Sequence, residues 1–192
     1  MGDGTKFYCE HTSHHPPISH FLLEGPNNCY RMHGYYEFTG KMGSNSLTSG
    51  LKGPNTIEFA DGTSVRFNAP DWRLGGTVMG ERTIEGVGSI AYEDLSNQLK
   101  AVIVLGTYKA GGFFSGKASG SKTDFEGVLY KMKKNRKPTV FGKQQKLPER
   151  LDKIDDMDKK ISGISGNWLS HLHFGDQKVW LIDEVLPPRQ TP

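Results

Sequence analysis

The segment NTIEFADGTSVRF, residues 55–67, carries the clearest secondary-structure signal in this chain. On either side of its Asp61-Gly62 pair, apolar residues alternate with polar ones: Ile57, Phe59, Val65 and Phe67. Alternation with a period of two is typical of a β-strand with one buried face, and Asp-Gly between two such runs favours a type I′ turn. The segment therefore predicts a β-hairpin.

Similar short runs, rich in aromatic and β-branched residues, occur on both sides of this hairpin. They cover residues 6–10, 18–24, 29–38, 75–94, 99–106, 124–131, 167–174 and 178–185, with a Gly/Ser-rich loop expected at 111–121. Glycine makes up 24 of the 192 residues, about twice the usual share. We therefore predict a single all-β dominated domain over residues 1–192.

One segment, residues 147–164, departs from the strand pattern. Its apolar residues recur at spacings of four, three and seven: Leu147, Leu151, Ile154 and Ile161. This spacing is helical, and Pro148 is acceptable in the first turn of a helix. We expect a short helix near 147–161, packed on the outside of the sheet.

Composition excludes several classes of protein. The longest aliphatic run, residues 101–105, is far shorter than the roughly 20 apolar residues that span a bilayer. The N-terminus lacks the basic start and apolar stretch of a signal peptide. Two cysteines, Cys9 and Cys29, favour a reduced, cytoplasmic compartment over a disulfide framework. A net charge of +3 suits contact with anionic surfaces but is too small to indicate nucleic acid.

The candidate site is CEHTSHHPPISHF, residues 9–21, which holds four histidines and the pair Pro16-Pro17. A metal centre, an acid–base pair and an anion clamp are the possible interpretations. The spacing matches no established metal motif, and no nucleophile stands in an activated setting. Histidines that are only hydrogen-bonded within a loop remain open as an alternative.

The anion clamp agrees best with the residue types. Two imidazoles can donate hydrogen bonds to phosphate oxygens, and Pro16 and Pro17 stiffen the backbone that follows them. Because successive side chains of an extended chain point to opposite faces, His14 and His15 reach one phosphate only where the chain bends. We therefore expect them at a strand end or kink at a barrel mouth. A metal-dependent cupin-like enzyme, using His14, His15, His171 or His173, is the alternative.

The stretch EHTSHHPPIS, residues 10–19, closely resembles the signature of the oxysterol-binding-protein-related family, E-(K/Q)-x-(S/C)-H-(H/R)-P-P. The matching residues are Glu10, Ser13, His14, His15, Pro16 and Pro17. His11 departs from the pattern, since Lys or Gln is usual there, and so does His20. The segments 76–94 and 163–172, and LPP at 186–188, are similar in placement to other parts of the family's domain.

The resemblance implies a large, incomplete antiparallel barrel around a hydrophobic tunnel that carries a sterol or phospholipid between membranes. It implies a non-enzymatic protein without a cofactor, cytoplasmic and peripherally membrane-associated. His14 and His15 would bind the headgroup of phosphatidylinositol 4-phosphate, while Glu10, Ser13, Pro16 and Pro17 shape the loop. Candidate tunnel-lining residues are Phe21 or Leu22, Tyr35 or Tyr36, Ile57, Phe59, Val102 and Val104.

The family's domain usually begins well upstream of the signature, with a lid, and continues after LPP into helices. We therefore expect this chain to be the central part of the domain, without the N-terminal lid region and the C-terminal helical region. Weaker lipid binding than in a complete domain, or an exposed apolar patch, would follow. A barrel that serves only as a scaffold, without transfer activity, is a further alternative.

A basic run lies at residues 131–137. Its five cations are Lys131, Lys133, Lys134, Arg136 and Lys137. Such a run can be a solvated hairpin tip, or it can dock on anionic membranes, where each cation adds about 1 kcal/mol.

Overall fold

The computed structural model describes residues 2–106, 121–137, 139–141, 148 and 151–182. These residues form thirteen strands of one antiparallel sheet and a 3-10 turn, Pro26–Asn28. The strands are β1 (Lys6–His14), β2 (Pro17–Glu24), β3 (Tyr30–Met42), β4 (Ser46–Lys52), β5 (Asn55–Phe59), β6 (Ser64–Phe67), β7 (Asp71–Gly75), β8 (Thr83–Asp94), β9 (Leu99–Leu105), β10 (Asp124–Met132), β11 (Met157–Asn167), β12 (His171–Phe174) and β13 (Gln177–Leu181). The all-β prediction is confirmed. Residues 111–120 and 183–185, which were assigned to a loop and a strand end, lie outside the described residues.

The sheet is an up-and-down meander. β5 and β4 lie along β3 in one register, with Gly34 opposite Asn55 and Glu37 opposite Lys52, and are interrupted only at Gly53-Pro54. β6 pairs with β5 and β8, and β7 pairs with β4 and β8, so these two also act as one interrupted strand. Strands that are neighbours in space are thus neighbours in sequence, as short connections require.

The hairpin predicted at 55–67 is confirmed, but the prediction of a type I′ turn is wrong. The Gly62 amide donates to the Phe59 carbonyl at 3.0 Å, and the Phe59 amide donates to the Thr63 carbonyl at 2.8 Å. Only Gly62 of the central pair has a positive φ, +87°, whereas type I′ needs two. The loop is a type I turn followed by a bulge, and the Asp61 carboxylate closes it by accepting the Thr63 amide at 2.8 Å.

The helix expected near 147–161 is also wrong within the described residues. Leu151–Asp156 forms two turns, and β11 starts at Met157 and contains Ile161. The apolar residues of these turns and the first residue of β11 pack on a core formed by β9 and β10: Leu151, Ile154 and Met157 on Val102, Val128, Tyr130 and Met132. Apolar residues three and four positions apart can belong to successive tight turns as well as to a helix. From Met157 onward, pairing with β10 holds the chain in an extended conformation.

The predicted strand at 167–174 is interrupted. Asn167 ends β11, a turn follows, and β12 begins at His171. The Asn167 side chain caps this turn by accepting the Leu169 amide at 2.9 Å. What was expected as one strand is thus the end of one strand and the whole of the next.

The sheet curls toward one of its faces. Trp72 in β7 meets Trp168, in the turn after β11, with ring centroids 6.1 Å apart, although β8, β9 and β10 lie between these two strands. The same face carries the stacked pairs Phe21–Tyr36 and Phe67–Tyr92, each with centroids 5.2 Å apart. We call this the concave face and the opposite one the convex face.

Strand register assigns the candidate tunnel-lining residues to these faces. On the concave face lie Phe21, Tyr36, Ile57 and Phe59. Val102 and Val104 lie on the convex face together with Val128, because each is paired across β8, β9 and β10 with residues of that face. Val102 therefore belongs to the core on which Leu151, Ile154 and Met157 pack, and Val104 shares its face.

That core contains a buried polar cluster. The Lys100 ammonium lies 2.8 Å from the Asp156 carboxylate, which also accepts the Tyr130 hydroxyl at 2.7 Å. The Thr139 hydroxyl accepts from Lys100 and donates to Glu93, each at 2.9 Å. Burial acts to raise the pKa of Asp156, but the hydrogen bonds from Lys100 and Tyr130 outweigh it and hold that pKa below its usual value. The cluster ties Thr139 and Asp156 to the sheet.

Candidate anion-binding site

The hairpin of β1 and β2 positions the signature residues. β1 ends at His14, the turn consists of His15 and Pro16 joined by a cis peptide bond, and β2 begins at Pro17. Neither proline has an amide proton to extend the ladder, so strand pairing stops here. The prediction that the histidine pair lies at a strand end is confirmed.

A β-bulge at Thr12 changes which side chains share a face. His11 is opposite Ser19, but Ser13 is opposite Ile18 and His14 opposite Pro17, so Thr12 is the extra residue. In a regular strand, residues three apart point to opposite faces. The bulge cancels this and brings His11 and His14 to the same face, with ring centroids 5.9 Å apart and planes at 79°.

The three imidazoles form a contiguous, exposed group. The centroids of His14 and His15 are 4.6 Å apart with planes at 61°. The ring of His11 is held by a hydrogen bond of 3.1 Å between its Nδ1 and the Ser19 hydroxyl. Register places His11 and His14 at the edge of the concave face, next to Tyr36, which is opposite Ser19. Exposed ring nitrogens gathered at one strand end can bind an anion together.

Glu10 and Ser13 do not join this group. Both point to the convex face, where Glu10 is opposite His20. Glu10 there lines an open groove of about 850 Å³, together with Tyr8, His20, His33, Tyr35 and Arg66. Ser13 is half-buried beside the bulge. Both residues thus lie behind the histidines, on the opposite face of the hairpin.

The structure does not bring the two histidine pairs of the enzyme alternative together. His171 and His173 lie side by side in β12, with centroids 5.2 Å apart, on the convex face. His14 lies on the concave face at the opposite end of the strand order. Within the described ranges, no three histidine, cysteine or carboxylate side chains are placed to hold a metal ion.

The basic run divides into two parts. The Arg136 guanidinium turns inward and pairs with the Glu93 carboxylate at 2.8 Å, leaving 12% of its side chain exposed. The lysines of the run are exposed: Lys131, Lys133, Lys134 and Lys137. Lys133 also donates to the Asp155 carbonyl at 2.9 Å. Four of the five cations therefore face solvent.

His11 is the site residue that sequence reasoning did not assign to ligand binding. Its place beside His14 depends on the bulge at Thr12, and no residue type in the segment signals a bulge there.

In the described part of the chain, no helix has the length and apolar character needed to cross a bilayer.

Solved structures support the fold. The structure is similar to the Osh3 ORD of Saccharomyces cerevisiae, solved in complex with PI(4)P, with a TM-score of 0.63, 20% identity, and coverage of 93% of this chain and 40% of that one. It is also similar to the Osh1 ORD domain, solved with ergosterol, with a TM-score of 0.64, 17% identity, and coverage of 94% and 35%. The incomplete barrel predicted from the resemblance is confirmed.

Sequence comparisons give the family. Oxysterol-binding protein 9 of Dictyostelium discoideum is 29% identical over 186 residues, which is 95% of this chain and 41% of the relative. Oxysterol-binding protein-related protein 5 of Homo sapiens is 27% identical over 150 residues, 74% of this chain and 17% of the relative. The chain thus spans less than half the length of these relatives. Since the family model for oxysterol-binding protein also matches residues 2–184, the chain belongs to the oxysterol-binding protein family.

Proposed function

We propose that this chain is a non-enzymatic lipid-binding barrel that moves a sterol or phospholipid between membranes. We further propose that His14 and His15 bind the phosphorylated headgroup of phosphatidylinositol 4-phosphate. The observation that carries the proposal is the contact of the two imidazoles, 4.6 Å between centroids, at the end of β1 beside an aromatic concave face. The solved ORD structures that this chain resembles were obtained with PI(4)P, cholesterol and ergosterol, which supports the same ligand classes here.

The headgroup interaction rests on charge and rigidity. A phosphomonoester presents three acceptor oxygens, and imidazoles that donate to them form charge-assisted hydrogen bonds, about twice as strong as neutral ones. Pro16 and Pro17 hold the turn in place, so less conformational freedom is lost when the ligand binds. Both histidines are exposed, so a headgroup can approach them from solvent.

The lipid body requires apolar surface, because each CH₂ moved out of water contributes about 0.8 kcal/mol. The concave face offers aromatic rings that are only half-buried: Phe21, Tyr36, Phe67 and Tyr92. Burial raises the pKa of both Tyr36 and Tyr92, so these phenols stay neutral and are compatible with an apolar ligand. Sterol rings or acyl chains packed against this face would be shielded from water during transfer.

The test is the double variant His14→Ala, His15→Ala, assayed for extraction of phosphatidylinositol 4-phosphate and of a fluorescent sterol from liposomes. We expect phosphoinositide extraction to be abolished while sterol binding largely persists, since the apolar face is unchanged. The matched control is His171→Ala, His173→Ala, which removes the same side chains from the convex face and should retain both activities. Phosphoinositide extraction at the wild-type level by the first variant would refute the proposed role of the pair.

We also propose peripheral association with anionic membranes on the cytoplasmic side, through the exposed lysines of the 131–137 run. These cations project from the end of β10 and the following turn, where nothing in the described residues covers them. Their attraction to anionic headgroups would deliver the barrel to its lipid donor or acceptor.

A further inference from the structure

We propose that His11 is a third headgroup ligand, which makes the site of His14 and His15 selective for a phosphomonoester over a phosphodiester. This inference rests on the proposed function and adds a specificity-determining residue to it. The family signature usually has Lys or Gln at this position, whereas this chain has an imidazole. It is carried by the bulge at Thr12 and by the ring contact of 5.9 Å between His11 and His14.

The geometry of His11 suits a ligand that already contacts His14. Its Nδ1 is engaged by the Ser19 hydroxyl at 3.1 Å, which orients the ring and leaves Nε2 as the nitrogen for a ligand. The three rings form a chain, with His14 between His11 and His15 at 5.9 Å and 4.6 Å. A group seated against His14 can therefore receive a hydrogen bond from each neighbour.

The charges around the hairpin favour an anion on this side of the sheet. Strands β1, β2 and β3 contain three carboxylates, Glu10, Glu24 and Glu37. By register all three lie on the convex face, because Glu10 is opposite His20, Glu24 opposite Arg31, and Glu37 opposite Ile18. The concave side of these three strands carries no acidic side chain that would repel a phosphate at the histidines.

The number of donors determines the selectivity. A phosphomonoester has three terminal oxygens, whereas a phosphodiester within a lipid has two and one negative charge. Three imidazoles can each address one oxygen of the monoester, but a diester leaves one of them without a phosphate acceptor. His11 thus adds binding energy for the first ligand class and little for the second.

The test measures binding of dioctanoyl phosphatidylinositol 4-phosphate, dioctanoyl phosphatidylinositol and free inositol 1,4-bisphosphate to the full chain by calorimetry. For His11→Ala we expect about ten-fold weaker binding of both phosphomonoesters and an unchanged affinity for phosphatidylinositol. His11→Gln, which restores a donor but no cation, should recover part of the loss. The matched control is His20→Ala, an exposed histidine of the same hairpin on the convex face, which should bind all three ligands like the wild type.

Equal loss of all three ligands in His11→Ala, or of the lipid but not the free bisphosphate, would overturn the inference, because either pattern indicates a distorted hairpin. A second readout is the imidazole resonance of His11, which should shift on addition of inositol 1,4-bisphosphate and stay in place if the residue is only structural. If His11→Ala binds like the wild type while His14→Ala does not, this inference fails and the proposed function stands. If the wild type binds neither phosphomonoester, the headgroup role of the histidine pair fails as well.

Discussion

Asp156 illustrates how a single residue holds the turns before β11 on the sheet. Its carboxylate pairs with Lys100 at 2.8 Å and accepts the Tyr130 hydroxyl at 2.7 Å, with 10% of the Lys100 side chain and 17% of the Asp156 side chain exposed. Burying two charges is costly, and the pair is compensated only because each partner has further hydrogen bonds. Removing one charge leaves the other buried and unpaired. Replacing either partner therefore costs more stability than the intact pair contributes.

We predict that Asp156→Asn lowers the free energy of unfolding at pH 7 by about 3 kcal/mol, because the Lys100 charge loses its counterion. In the wild type, the hydrogen bonds from Lys100 and Tyr130 hold the folded-state pKa of Asp156 below its usual value. Its stabilising contribution is therefore complete above the unfolded-state pKa and is lost as the pH falls through the folded-state value. Urea unfolding from pH 7 down to pH 3 should show a steeper loss in the wild type than in Asp156→Asn.

Asp155→Asn is the matched control for this experiment, since Asp155 is the exposed neighbour of Asp156 in the same turn. It should unfold like the wild type to within about 0.5 kcal/mol. A loss of equal size in both variants would show that the turn, and not the buried ion pair, determines the stability.

At the scale of residues, the sequence identified those that belong to a local motif. It did not predict contacts between residues that are far apart in the chain. The contiguous signature named His14 and His15, and the structure places both rings together. Lys100 and Asp156 are 56 positions apart and meet only because the turns at 151–156 pack on β9 and β10. Arg136 was grouped with its lysine neighbours, and no local pattern reveals that it turns inward to Glu93.

At the level of elements, the interruption between β4 and β5 lets one long strand follow the curl of the sheet. Gly53 has a φ of +149°, and a Cβ placed on it would lie 1.9 Å from the Tyr35 carbonyl oxygen. Neither the backbone angle nor the space allows another residue. Pro54 follows and cannot donate to the ladder, so the break is specified by two adjacent residues.

We predict that Gly53→Ala destabilises the protein by about 3 kcal/mol, because the backbone must shift away from Tyr35 and takes β4 and β5 with it. Gly40→Ala in β3 is the matched control, since a Cβ there meets nothing within 4 Å. It should change the stability by less than about 1 kcal/mol. Urea unfolding of both variants measures the difference, and a Gly53→Ala protein as stable as Gly40→Ala would refute the strain argument.

Elements with a strict alternation were predictable, and elements with mixed spacing were not. The hairpin at 55–67 follows from Ile57, Phe59, Val65 and Phe67. β4 was missed because Gly and Ser interrupt it, and β7 was missed because it is short. Neither shows a run of strand-forming residues. The 147–161 segment reads as a helix by spacing alone, because the pairing of β11 with β10 is a long-range constraint that no local window contains.

For the whole molecule, the resemblance to the family predicted the incomplete barrel, which composition alone could not. The assignment of faces needed the structure. An apolar run such as residues 101–105 has apolar residues on both sides. Only the Trp72–Trp168 contact and the packing of Leu151, Ile154 and Met157 on the other face distinguish concave from convex. The same limit applied to His11, which shares a face with His14 only because of the bulge at Thr12.

The proposed membrane contact depends on where the exposed cations of the molecule lie. Lys133, Lys134 and Lys137 are exposed in the turn after β10, whereas Arg136 is paired with Glu93 and contributes to folding instead. At about 1 kcal/mol for each cation near an anionic surface, three lysines contribute about 3 kcal/mol, or about 100-fold in affinity. This attraction should weaken as salt shortens its range.

We therefore predict that replacing Lys133, Lys134 and Lys137 by Ala reduces binding to phosphatidylserine vesicles about 100-fold at low salt and removes most of its salt dependence. The charge-matched control replaces three exposed cations on β1 and β3: Lys6, Arg31 and Lys41. Both triple variants lower the net charge by the same amount. A general charge effect would therefore weaken vesicle binding equally in the two, as measured by co-sedimentation. Binding lost only in the first variant assigns membrane contact to the turn after β10, and equal binding by the two would show that the lysine run is a solvated tip.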